Sequence, residues 1–166
     1  YFDITENNGY RTENLLPLIG KDSQCGALRF LYPDGKCFFW GTQENGDNLA
    51  TWNMMVKDDL VLGFRNNSIV FASYVLMKMK NPLLADQLWN NGAGEPFSLL
   101  CFTTEPHLGD ITIRPQMSIY LDTEYSGFAC LRPEKRNNIL RDYGSFEVFV
   151  RLGLALDFPL IMRHSE

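Results

Sequence analysis

Cys37-Phe38-Phe39-Trp40-Gly41-Thr42 is the stretch on which the fold turns. Its aromatic residues suit a half-buried pleated surface and Gly41 stops the run, so it reads as a strand that delivers an indole to its own end. Gln43-Glu44-Asn45-Gly46-Asp47 follows, a polar stretch that is either a plain connector or a ligand-facing loop. Asn48 then reads as an N-cap, and Leu49, Trp52 and Met55 follow at the i, i+3 spacing of one face, which predicts a short helix over 48–55. Lys57-Asp58-Asp59 closes that helix with charge. Residues 59–64 and 68–80 read as two strands, the second long, joined at Arg65-Asn66-Asn67, where Asn tolerates positive φ.

Outward from this centre, Ala27-Leu28-Arg29-Phe30-Leu31-Tyr32 alternates as a strand and Pro33-Asp34-Gly35-Lys36 supplies a turn, predicting a first hairpin over 27–40. Residues 21–26 read as loop. In 10–20, Leu15, Leu16, Leu18 and Ile19 are apolar, but Pro17 interrupts any helix. Residues 1–5 alternate weakly, as an edge strand would. Downstream, Asn81 caps a helix opened by Pro82 and running to about Trp89, 90–94 is Gly-rich punctuation, and 97–103 is a strand. Residues 107–110 read as a turn, 111–114 as a short strand and 115–122 as another. A helix follows over 133–142, and Ser145 opens a further one through Leu156. No βαβ unit repeats, so the expected class is α+β, a small twisted sheet or open β-barrel with flanking helices.

At 166 residues the chain fits one domain, 1–166. It begins at Tyr1 rather than Met and reads as a domain excised from a longer protein. No apolar run approaches a membrane span and no leader is visible, so no membrane partner is expected. Cys25, Cys37, Cys101 and Cys130 are scattered and contain no C-x2-C pair, which points to a reduced, cytoplasmic protein without a zinc site. The formal charge of −5 argues against strong sequence-independent DNA affinity, although 15 Lys and Arg can still gather on one face.

Catalytic motifs are missing. There is no P-loop, no G-x-G-x-x-G, no G-x-S-x-G and no H-E-x-x-H, and His107 and His164 stand far apart. Asp58-Asp59 are adjacent and point in different directions, and neither Asp110 nor Glu124 has a Lys at a supporting spacing. The chain is therefore expected to be no enzyme and to need no cofactor or metal.

The order of the central elements resembles the PUA-like superfamily, in particular its EVE and YTH modified-base readers. There a strand ends in a Trp-small-Thr element, a short helix follows and two strands form a hairpin; here the matching residues are Trp40-Gly41-Thr42, then 48–55, 59–64 and 68–75. Phe128-Ala129-Cys130-Leu131-Arg132-Pro133, leading to a helix and then Tyr143-Gly144-Ser145-Phe146, resembles the tail of EVE-like domains in McrB-type modification-dependent restriction GTPases. The resemblance implies that Trp40 lines an aromatic cage, that Thr42 and Asn45 contact the base, and that a second aromatic completes the cage. Trp52 and Trp89 are the candidates, with Phe39, Phe64, Tyr74 and Tyr125 available as neighbours.

A base taken out of its stack needs π-faces and a few hydrogen bonds; stacking is worth roughly 1–3 kcal/mol per base, comparable to unstacking it from a duplex. A buried methyl adds about 0.8 kcal/mol by transfer and about 1–3 kcal/mol in a fitted pocket. Ordinary roles compete with each assignment. Trp52 on an apolar helical face reads as core, Trp89 as the cover of its helix, Asn45 as a turn residue. Lys78 and Lys80 on one side of the long strand, with Arg132, Lys135 and Arg136 near the last helices, are candidate phosphate contacts or plain surface charge.

The expected function is thus a DNA-binding specificity domain that flips a methylated base into an aromatic cage, N6-methyladenine ahead of 5-methylcytosine. Its partners would be modified DNA and, through the rest of the chain, a nuclease subunit. The alternatives are a protein-interaction or assembly domain and an RNA-binding PUA/YTH-like reader.

Overall fold

The computed structural model describes residues 9–88, 97–122 and 128–158. The expected edge strand over 1–5, Trp89, the 90–94 punctuation, Glu124 and Tyr125 lie outside the described residues. The chain is α+β, an antiparallel half-barrel sheet with flanking helices, in agreement with the expected class. Its described elements are, in order, β1 (Tyr10–Arg11), α1 (Thr12–Ile19), α2 (Asp22–Leu31), β2 (Lys36–Thr42), α3 (Gly46–Met54), β3 (Leu60–Arg65), β4 (Ser68–Lys80), α4 (Pro82–Leu88), β5 (Leu99–Thr103), β6 (His107–Thr112), a 3-10 turn (Pro115–Ile119), α5 (Pro133–Tyr143) and α6 (Phe146–Val148), which runs into a π turn (Phe149–Gly153). They form two compact units: one holds the described residues through Asp59 and Ser73–Pro106, the other Leu60–Ala72 and the residues from His107 on.

In the first unit β5 lies between β2 and β4, antiparallel to both. Phe39 stands opposite Phe102 and their rings are 5.1 Å apart; Phe102 in turn pairs with Met77, and Leu100 with Met79. Side chains of paired residues share a face. This face is therefore a continuous apolar layer, joined by Leu15, Leu16 and Ile19 of α1, Leu28 of α2 and Leu84 of α4 in one buried cluster. Each such Leu or Phe, fully buried, contributes roughly 1.5–3 kcal/mol relative to its exposed state.

Three expectations fail here. The hairpin over 27–40 does not form, nor is 21–26 a loop, because Asp22–Leu31 is helical. Alternation would put Leu28, Phe30 and Tyr32 on one side, yet Leu28 is wholly buried and Phe30 is 84% exposed. The half-buried Cys25 and Leu31 flank Leu28 at three-residue spacing, and that helical stripe prevails. Pro17, expected to break any helix, sits inside α1 with its ring outward. One lost N–H bond is offset by burying Leu15, Leu16 and Ile19. Only the turn at Pro33–Gly35 survives from the predicted hairpin, with Gly35 at φ +81, and it joins α2 to β2.

In the second unit β3 and the start of β4 form the expected hairpin, turned through Asn66 (φ +50) and Asn67 (φ +65). The turn expected over 107–110 is instead strand β6, pairing Ile111 with Ile69 and His107 with Ala72. His107, Gly109 and Ile111 alternate half-buried with exposed neighbours, a period visible only once β4 is present as partner. The strand expected over 115–122 is the 3-10 turn: Pro115 opens it, and Met117 and Tyr120 direct their N–H groups to Arg114 and Met117. Helix α5 matches its expected span to within one residue. Ser145 caps the next helix, its Oγ accepting the Val148 N–H, but that helix ends at Gly153 rather than Leu156. Ala155 lies at φ +53, which no helix accommodates.

All four cysteines are free thiols, Cys37 and Cys101 buried. Among the described residues no helix is long and apolar enough to cross a membrane.

Candidate functional site

The strand register of the first unit puts four of the predicted site residues, Trp40, Thr42, Lys78 and Lys80, on one face. Trp40 pairs with Cys101, and Cys101 with Lys78; one row on, Thr42 pairs with Leu99, and Leu99 with Lys80. These two rows lie on the side of the sheet opposite the Phe39–Phe102 layer. A bulge between Val75 and Met77 of β4 brings this about. Its extra residue resets the alternation, so that Lys78 and Lys80 join the Trp40 side.

Helix α3 crosses that face. At its start Asn45 is the N-cap, its Oδ1 accepting the Asn48 N–H at 2.9 Å, so the helix begins before Asn48, the residue expected as cap. Asn48 instead turns its amide inward, donating to Thr42 Oγ1 at 2.9 Å and to Gln43 O at 3.0 Å. At the far end Trp52 Nε1–H donates to the Leu100 carbonyl at 3.1 Å. Lys78 reaches up from β4: its Nζ donates to Trp52 O at 2.8 Å and Asn53 O at 3.3 Å, and lies 4.7 Å from the centroid of the Trp52 ring. An ammonium at a helix C-terminus meets the unbonded carbonyls and the negative end of the dipole, and over an indole it meets the π-cloud as well. Met55 Sδ and Cys101 Sγ are 4.0 Å apart beneath the helix end. Burial pushes the Cys101 thiol up to about 12, with the Lys78 ammonium pulling the other way, so the floor of this site is an uncharged sulfur.

Trp40 is 9% exposed and Trp52 half-buried. Lys80 extends past the helix start to Glu44, at 2.5 Å. Trp40, Thr42, Asn45, Trp52, Lys78 and Lys80 are thus gathered around α3. Arg132, Lys135 and Arg136 belong to the second unit. There Lys135 is buried, donating to the Ser118 and Leu121 carbonyls and paired with Asp122 at 3.0 Å, while Arg132 contacts the same carboxylate at 2.5 Å. These contacts hold Asp122 below the usual carboxylate range. Lys135 is a structural cation, tying α5 to the chain at 118–122; Arg136 is exposed.

Sequence reasoning missed Asn48 as a side-chain bridge, Glu44 as the partner of Lys80, and Cys101 with Met55 as the floor. The strand over 97–103 was legible, but which residues faced which across β2, β5 and β4 was not. Asp59, one of the adjacent carboxylates, accepts the Val56 N–H at 2.9 Å within a turn where Asp58 adopts φ +72. Among the described residues no three His, Cys, Asp or Glu side chains are grouped to hold a metal ion. Compared with family models, curated proteins and solved structures, the chain matches none.

Proposed function

We propose that the first unit reads a modified base in DNA, taken out of its stack and held against the indoles of Trp40 and Trp52. One observation carries the reading: both indoles, the Thr42 hydroxyl and the Lys78 and Lys80 ammonium groups converge on one face of the sheet. Flat π-surface for a base, polar groups for its edge and cations for the adjacent phosphates are the three things such a site needs. Because Trp40 is nearly covered, Trp52 meets the base first, and Trp40 is reached when α3 shifts. Following the likeness to PUA-like EVE and YTH readers, N6-methyladenine is favoured over 5-methylcytosine. In this reading the domain performs no chemistry and needs no cofactor; it targets a restriction complex whose GTPase and nuclease lie elsewhere.

The test is fluorescence anisotropy at fixed, moderate salt with one duplex in three forms: unmodified, N6-methyladenine and 5-methylcytosine. Tightening by tens to a few hundred-fold on one form is expected, the range about 1–3 kcal/mol of methyl recognition allows. Trp40→Ala, its fold checked by circular dichroism, should lose that preference. Equal or absent binding to all three forms overturns the reading. Preference for the same sequence as RNA would transfer it to a 2′-hydroxyl-dependent reader. A protein-interaction domain is the second reading, favoured by Phe30 on α2 at 84% exposure, Leu83 on α4 at 74%, and the net negative charge.

A further inference from the structure

Helix α3 is a nine-residue helix with no fully buried residue. A helix this short is marginal alone and takes its stability from packing, so one that buries little opens at low cost. Apart from Met55 against Cys101 at its end, the attachments that tie it to the sheet are polar or cation–π. Asn48 holds its start to Thr42, Trp52 Nε1–H holds its end to Leu100 O, and Lys78 grips its last turn through two carbonyls and the indole face. Beneath it lie Trp40 and the wholly buried Cys101, on strands β2 and β5 that pair continuously from Phe38 to Thr42 and whose other face is packed in the apolar cluster.

From this contrast we infer that α3 is a lid over the Trp40 face, latched by Lys78. Lys78 is then a positioning residue: in the closed state its charge is spent on the Trp52 and Asn53 carbonyls. Opening releases in one movement the Trp52 ring, the Trp40 face and an ammonium group able to meet a phosphate. The opening requires no ligand; only the use of the uncovered face for a base rests on the function proposed above.

Amide hydrogen exchange on the complete chain, read residue by residue, tests the lid directly. In the wild type, amides of α3 should exchange by a local opening, faster than those of β2 and β5. Lys78→Met, which keeps the aliphatic stem and removes the charge, should speed α3 exchange by about tenfold while leaving β5 unchanged, since charge-assisted hydrogen bonds are lost at one end only. Lys78→Arg should restore most of the protection. Exchange of α3 as slow as that of β5 in the wild type overturns the lid, and this comparison needs no variant to fold. So does a Lys78→Met variant that leaves α3 unchanged or accelerates α3 and β5 alike. If the exchange pattern holds and no duplex binds, the lid stands and the base-reading function falls.

Discussion

At the scale of single residues, the clearest constraint is at Gly63. A Cβ built there would lie 2.0 Å from Cε1 of Phe71, so the side-chain hydrogen is what lets the ring lie against β3. Gly63→Ala should destabilise the protein by about 1–3 kcal/mol, seen as a lower denaturant midpoint, because a packed ring must leave its place. A double variant with Phe71→Leu should recover part of the loss; no recovery would locate the strain elsewhere. The sequence signals this weakly, since Gly inside a strand suggests close approach, but it does not say what approaches. The same holds at Trp40. Its place on a strand is readable from Phe38-Phe39-Trp40, but the strand continues through Gly41 to Thr42 rather than stopping, and its companions Cys101 and Lys78 come from strands more than thirty residues away.

At the scale of elements, capping and turn chemistry are local and were legible at three places, though not at α3, where the cap is Asn45 rather than Asn48, nor over 107–110. Asn81 caps α4 through its Oδ1 on the Leu84 N–H, Ser145 caps α6, and Asn66-Asn67 turns the β3–β4 hairpin, each with the residue type that the geometry demands. Elements whose identity depends on a partner were not: α2 read as a loop followed by a strand, and the first four residues of β6 as a turn, with only its end at 111–112 read as strand. The junction of α5 with the chain at 118–122 carries a pH prediction. Lys135 and Arg132 hold the native Asp122 carboxyl below its unfolded value, so its contribution is fully present above about pH 4 and is lost as pH falls through the lowered native value. Asp122→Asn should therefore flatten the acid limb of the unfolding midpoint against pH. The carboxylate is a third exposed, which limits the effect to below about 1 kcal/mol. An unchanged acid limb would assign acid sensitivity to other carboxylates.

At the scale of the whole molecule, the base-reading proposal places only two of the chain's 15 Lys and Arg, Lys78 and Lys80, on the Trp40 face. If that proposal holds, Lys80 and a released Lys78 make about two phosphate contacts, and the log–log dependence of affinity on salt should have a slope of about −2. Affinity measured from low to moderate salt checks this. A slope several times steeper would require a broad basic surface and displace the binding site from the Trp40 face.

Sequence alone determined the α+β class, the long strand 68–80 with its Asn-Asn hairpin and, to within about two residues, the strand expected over 97–103, the helices expected over 82–89 and 133–142, and the aromatic strand, which runs on past Trp40 to Thr42. These follow from periodicity, caps and turn residues, which act over a few positions of the chain. Tertiary structure decided that Asp22–Leu31 is a helix, that Pro17 lies within one, and that Trp40, Thr42, Lys78 and Lys80 share a face under α3. Burial against distant side chains can outweigh local preference, and a single bulged residue in β4 inverts which side chains face which. Neither effect is visible until the strands are paired.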